Sequence, residues 1–210
     1  FLVDDSPMCN NDTYFNNQWA LNNTGQNNGI NGIDLNYCEA HQITAGDPNI
    51  IVAVLDQGVE LNHSDLPNIH PYSFDTESLS SPSVIYDNHG TRCAGIIGAA
   101  ANNNLGISGI APNSTIMSIS NSISETPDSR IKRANGIIVA CNNGASIISN
   151  SWISAVSYEI IDDAISYALT NGRNGKGCVI VFSSGNNNAS SVNYPSNLNG
   201  VISVGAIDRC

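Results

Sequence analysis

At 210 residues, 41% hydrophobic and only 12% charged, the chain has the composition of one globular domain, not of a disordered segment. Eighteen acidic residues against seven basic ones leave a formal charge of -11, which excludes a nucleic-acid partner because nothing here neutralises a row of phosphates. No apolar run approaches the roughly 18 to 20 residues of a membrane span, and no basic stretch followed by an apolar one stands at the start, so any signal peptide is already gone.

Residues 1–33 are polar, rich in Asn and Gly, and without periodicity. They read as an arm laid over a surface and anchored by Trp19 and Leu21, with residues 34–210 forming the body of the domain. In "DLNYCEAHQITAG", Asp34 is placed to cap a helix and Gly46 to stop it. "NIIVAVLD" is a continuous run rich in Val and Ile, the pattern of a strand buried on both faces. "TIMSISN", "ASIISNS", "GCVIVFSSGN" and "GVISVGAID" repeat that pattern, and helical stretches lie at 89–101, 129–142 and 158–171. Strands alternating with helices predict an α/β fold with a parallel sheet, whose working residues gather beyond the carboxyl ends of the strands. Six cysteines, Cys9, Cys38, Cys93, Cys141, Cys178 and Cys210, lie far apart with no C-x-x-C pair, which argues against a zinc ribbon. Cys9 with Cys38 is one way to tether the arm in an oxidising compartment, but spacing leaves the pairing open.

Three residues fall at predicted strand ends or helix starts. Asp56 closes the first buried strand, His89 opens the helix "HGTRCAGIIG", and Asn186 follows "SSG" after the last long strand. Each has an ordinary reading alone, as a turn cap, a helix cap and a left-handed turn residue. Together they are parts of one machine. A carboxylate orients an imidazole, the imidazole takes a proton from a hydroxyl, and an amide donor stabilises the oxyanion formed at a carbonyl.

The flanking residues make this specific. "IVAVLDQGVELNHSDL" resembles the aspartate motif of subtilases, "NHGTRCAG" their histidine motif, and "VFSSGN" the segment carrying their oxyanion asparagine. "NDTYFNNQWALNNTGQ", "GIDLN" and the Arg-Cys after His-Gly-Thr resemble the kexin-like branch. The resemblance implies the subtilisin-like three-layer α/β fold, with a mainly parallel central sheet flanked by helices and cut before the nucleophile region. It implies a serine endopeptidase in which Asp56 orients, His89 acts as base and then acid, and Asn186 donates to the oxyanion. The family's Gly-Thr-Ser nucleophile motif is nowhere in the 210 residues, so this chain by itself is expected to be inactive. A C-terminal remainder of the same domain is then the expected partner, besides a peptide or protein substrate.

The resemblance also places Ser149, Asn150, Ser151, Trp152 and Ile153 along the substrate edge. Ile153 stands where a glycine is expected, and the acidic residues with which kexin-like members read basic side chains are missing, so a small or apolar first pocket is expected. "AANNNLGIS" resembles the high-affinity calcium loop, which implies side-chain ligands from Asp65 and Asn103 and carbonyls from Ala101, Leu105 and Ile107. Asp12 of the arm is the kexin-like alternative. Hard oxygen donors suit Ca²⁺, whereas the plain reading is an Asn-rich turn. Cys93 reads as a buried free thiol, or as a mercury-sensitive one beside the base. Export, as a secreted, cell-surface or periplasmic protein, is the expected location. The competing readings are a non-catalytic subtilase-like domain that binds peptides or partners, and a nucleotide-binding α/β protein. The absence of G-x-G-x-x-G after the first strand speaks against the latter.

Overall fold

The computed structural model describes residues 9–188 and 190–209; the first eight residues of the predicted arm lie outside this range. Six strands form one sheet: β1 (Ile51–Asp56), β2 (Phe74–Asp75), β3 (Thr115–Ser120), β4 (Ile147–Asn150), β5 (Val179–Ser183) and β6 (Val201–Val204). Their order is β2-β3-β1-β4-β5-β6 and every pairing is parallel. The chain runs from β1 to the edge strand β2, returns to β3 beside β1, and then crosses to β4 on the other side of β1. That reversal opens a crevice at the carboxyl end of β1, where such sheets place ligands.

Helix α2 (His89–Gly98) lies between β2 and β3 in the chain and covers one face of the sheet. Helices α3 (Ser129–Asn142) and α4 (Glu159–Gly175) make the next two crossovers on the other face, and they pack against each other. The fold is thus a three-layer α/β sandwich of the subtilisin kind, as the sequence implied. On the α3/α4 face Ala53, Leu55, Met117, Ile119, Ile148, Ile180 and Phe182 are sealed into one cluster. On the α2 face Val52, Val54, Val59, Leu66, Ala94 and Ile116 form a second, smaller one. Alternate residues of each strand serve opposite faces, which explains why β1 reads as an unbroken apolar run.

Several local expectations change. The helix predicted over 34–46 is only one turn, α1 (Tyr37–His41). Asp34 does not cap it, because its carboxylate accepts the backbone N–H groups of Asn23 (2.7 Å) and Asn36 (2.8 Å) and so holds a turn. The next turn offers Ile43, 87% exposed, so nothing is gained by continuing it. Helix α2 ends at Gly98 because Ala99 turns extended, and Gly109 N–H then takes the Ala99 carbonyl. Trp19 is only half-buried, and the arm is instead anchored by Phe15, Leu21 and Tyr37. Cys9 is disulfide-bonded to Cys38.

Candidate active site

Asp56 is the last residue of β1 and is 2% exposed. Its Oδ1 accepts the Gln57 N–H at 2.7 Å and lies 2.7 Å from His89 Nδ1, while Oδ2 is buried with no partner. An ionised carboxylate only accepts, so Nδ1 carries the shared proton and Nε2 keeps its lone pair. The imidazole side chain is 49% exposed, open to a reacting group.

Two glycines bring the helix start this close to the strand end. A Cβ on Gly90, next to His89, would collide with the Gly58 carbonyl, and one on Gly58 (φ +95°) would collide with the Val84 carbonyl. Backbone therefore packs on backbone, and the "DQG" and "HGT" motifs are two halves of one contact.

Cys93 lies one turn along α2, with Sγ 3.8 Å from His89 Nδ1 and 3.7 Å from Ser151 Oγ. It is free but half-exposed, not buried as one reading of the sequence had it, because the crevice leaves that side of α2 uncovered. Desolvation raises its thiol pKa and the Asp56 charge raises it further, against a hydrogen bond with Ser151 that lowers it. The thiol stays protonated and is a poor nucleophile.

The predicted substrate edge alternates. Ser151 and Ile153 are exposed and Ser149 is half-buried, whereas Asn150 and Trp152 point inward. Asn150 donates to the carbonyls of Ile148 (3.1 Å) and Val181 (3.2 Å). Trp152 stacks edge-on against Phe182, with ring centroids 4.9 Å apart. Behind Trp152 is a residue the sequence reading missed: Arg133 of α3, 4% exposed, with its guanidinium 5.2 Å from the indole centroid. One donor, Nη2, reaches the Ile123 carbonyl at 3.2 Å, and Nε has no partner. The signal available was a charged residue on the apolar stripe of a predicted helix.

Asn186 sits in the exposed loop after β5, and among the described residues no hydrogen bond joins it to Asp56 or His89. The structure joins Asp56 and His89 directly, and Asn186 stands exposed in the loop that follows β5.

The arm grips the 101–108 loop. Asp12, 5% exposed, accepts the N–H groups of Asn102 (3.1 Å) and Asn103 (2.9 Å). Asp65, 4% exposed, accepts from Asn103 Nδ2 (2.8 Å) and Ile107 N–H (3.2 Å). Two buried carboxylates thus meet on one loop, and among the described residues neither has a cationic partner. Thr13 and Tyr14 take the carbonyls of Asn104 and Gly106, while no described donor reaches those of Ala101, Leu105 or Ile107. Unbalanced buried charge beside open carbonyls fits a hard divalent cation. Asn103 would have to exchange the ends of its amide to serve, because its oxygen accepts the Leu105 N–H at 2.9 Å.

A parallel α/β sheet with a carboxylate–imidazole pair at its carboxyl edge defines a subtilisin-like class of protein. The subtilase family model matches residues 47–210, and the chain belongs to that family. It is 32% identical over 196 residues to the thermophilic serine proteinase of Bacillus sp. (strain AK1), covering 93% of this chain and 48% of that protein. It is also 32% identical over 196 residues to the calcium-dependent protease of Nostoc sp., covering 84% of this chain and 29% of the relative. A solved protease from Pseudoalteromonas arctica superposes with a TM-score of 0.78 at 25% identity, covering 96% of this chain and 67% of the other. The chain spans about half the length of the Bacillus relative, less than a third of the Nostoc one and two thirds of the solved protease.

Proposed function

We propose that these residues are the N-terminal part of a subtilisin-like serine endopeptidase domain. The observation that carries the reading is the 2.7 Å contact between Asp56 and His89 Nδ1. In this reading Asp56 fixes the imidazole, Nε2 takes the proton of a serine hydroxyl, and the imidazolium then returns it to the leaving amine. Asn186 donates to the oxyanion, and the serine comes from sequence beyond these residues, as relatives about twice as long suggest. Ser149, Asn150, Ser151, Trp152 and Ile153 form the edge along which the substrate backbone lies, with Ser151 and Ile153 turned outward. Ile153, 40% exposed in the glycine's place, narrows the first pocket and favours small or apolar side chains over arginine. Asp65, Asp12, the Asn103 side chain and the carbonyls of Ala101, Leu105 and Ile107 would hold calcium, which supplies structural stability and no chemistry at the scissile bond. The Cys9–Cys38 disulfide supports export to an oxidising compartment, with residues 9–33 serving as a clamp on the domain formed by 34–210.

The test is hydrolysis of a peptide library by the full-length protein and by its His89→Ala variant. Cleavage lost in the variant is the expected result, with apolar first-pocket residues preferred. Binding of the same peptides without cleavage would replace this reading with that of a non-catalytic peptide-binding domain.

A further inference from the structure

We propose that Cys141 and Cys178 form a second disulfide in the oxidised protein. Cys141 lies in the last turn of α3 and Cys178 directly precedes β5; they are 5% and 4% exposed and inside the core of the α3/α4 face. Both are free thiols in the structure, and their sulfurs border the same small space beside Gly172. Gly172, near the end of α4, clears the space around them. A Cβ there would collide with Cys178 Sγ and lie 3.4 Å from Cys141 Sγ.

Other uses of the pair fail. The one cluster of three potential metal ligands among the described residues is Asp56, His89 and Cys93, in the crevice on the opposite face of the sheet. Nothing beyond two sulfurs is offered to a metal here. A packing role alone gives no reason for two thiols to meet, and the hydrogen bond from Cys178 Sγ to the Ala145 carbonyl (3.1 Å) is available to a single cysteine. The same chain already carries one disulfide.

Burial also fixes when the bond forms. It raises both thiols, Cys178 to about 12, so at neutral pH the folded core holds almost no thiolate. The exchange is therefore favoured while the core is still open. With oxidised glutathione or a protein disulfide as oxidant, one cysteine thiolate attacks the donor disulfide and releases a thiol. The second cysteine, losing its proton to solvent, then displaces the other donor sulfur. Two cysteine thiols become one disulfide and the donor disulfide becomes two thiols. The product closes a loop that contains β4 and α4 and ties the end of α3 to the start of β5, restricting the unfolded chain.

The experiment takes the full-length protein refolded in a glutathione redox buffer. It is denatured without reductant at acidic pH, treated with N-ethylmaleimide and mapped by mass spectrometry of its peptides, with the Cys9–Cys38 link as internal control. A Cys141–Cys178 linked peptide is expected, with Cys93 alkylated. A Cys178→Ser variant should release Cys141 to alkylation. Alkylation of both Cys141 and Cys178 in the unsubstituted protein, with Cys9 still joined to Cys38, overturns the proposal.

Discussion

The two faces of the sheet are finished to different degrees. Under α3 and α4, Ala53, Ile148 and Ile180 run side by side across three strands at 0% exposure each. On the α2 face the equivalent row reads Val54, Ser149, Val181 and Ile202, and burial fades along it. Val54 is 1% exposed, Ser149 and Val181 are half-buried, and Ile202 is 51% exposed, as is Val204 farther along β6. A parallel sheet is stable when both faces are covered. One face is therefore a completed core and the other a seat for more structure, and Asp56 and His89 lie on the unfinished side. Local packing supplies the Asp56–His89 pair, and the proposed function draws its remaining parts from structure seated on that face.

The largest effect expected is catalytic. In the full-length protein His89→Ala should lower kcat by about 10⁶-fold with the melting temperature unchanged; a modest fall would mean that the unfinished face is not the reacting one. Next comes stability. Ile148→Ala should cost about 2 to 5 kcal/mol by urea denaturation, whereas Ile202→Ala in the 210-residue chain should stay within about 0.5 kcal/mol. In the full-length protein Ile202→Ala should approach the larger cost, and equal small values in both contexts would break the contrast between the faces.

Calcium removal is smaller. A chelator should cost about 2 to 3 kcal/mol if the buffer holds calcium near a hundred times its Kd. Thermal melts that ignore both chelator and added calcium would sink the calcium reading, and Asp65→Asn should abolish the response.

The smallest effect is pH dependence at the far edge of the finished half, around β2. Desolvation alone would raise Asp75, but hydrogen bonds from Ser78, Ser120 and Tyr86 outweigh it and hold the carboxyl below its usual range. Because the folded value is depressed, that stabilisation is present above the ordinary carboxylate pKa and lost as pH falls through the folded one. Tyr86 is pushed up to about 12, first by desolvation and then by its bond to Asp75. Its contribution is complete below the free-phenol value of 10.0 and lost as pH rises through about 12. Tyr86→Phe should remove about 1 kcal/mol at neutral pH and flatten the alkaline limb of denaturation midpoint against pH. An unchanged limb would show the bond to be inconsequential.

The sequence foretold the parts that depend on one repeated pattern. The strands β1 and β3 to β6 and the helices α2 to α4 are legible because each is an apolar run or stripe long enough to outweigh its neighbours. Asp56 and His89 are legible because motif glycines bring strand end and helix start together. What stayed hidden depends on partners far away in the chain. Asp34 looks like a helix cap until Asn23 claims its carboxylate. The two residues of β2 exist only through β3. Arg133 looks like a surface charge until Trp152 packs over it.

The clamp on the 101–108 loop bears on self-digestion. An endopeptidase is the nearest source of cleavable backbone to itself, and exposed Asn-rich loops are where a chain is nicked. A cleft that binds substrate as a strand needs an extended segment. Asn102 and Asn104 sit at φ +61° and Gly106 at φ +54°, a left-handed alternation that Asp12, Thr13 and Tyr14 hold in place from the arm. Straightening it would break those bonds together, so the arm sets a cost against any cleavage that needs this Asn-rich loop extended.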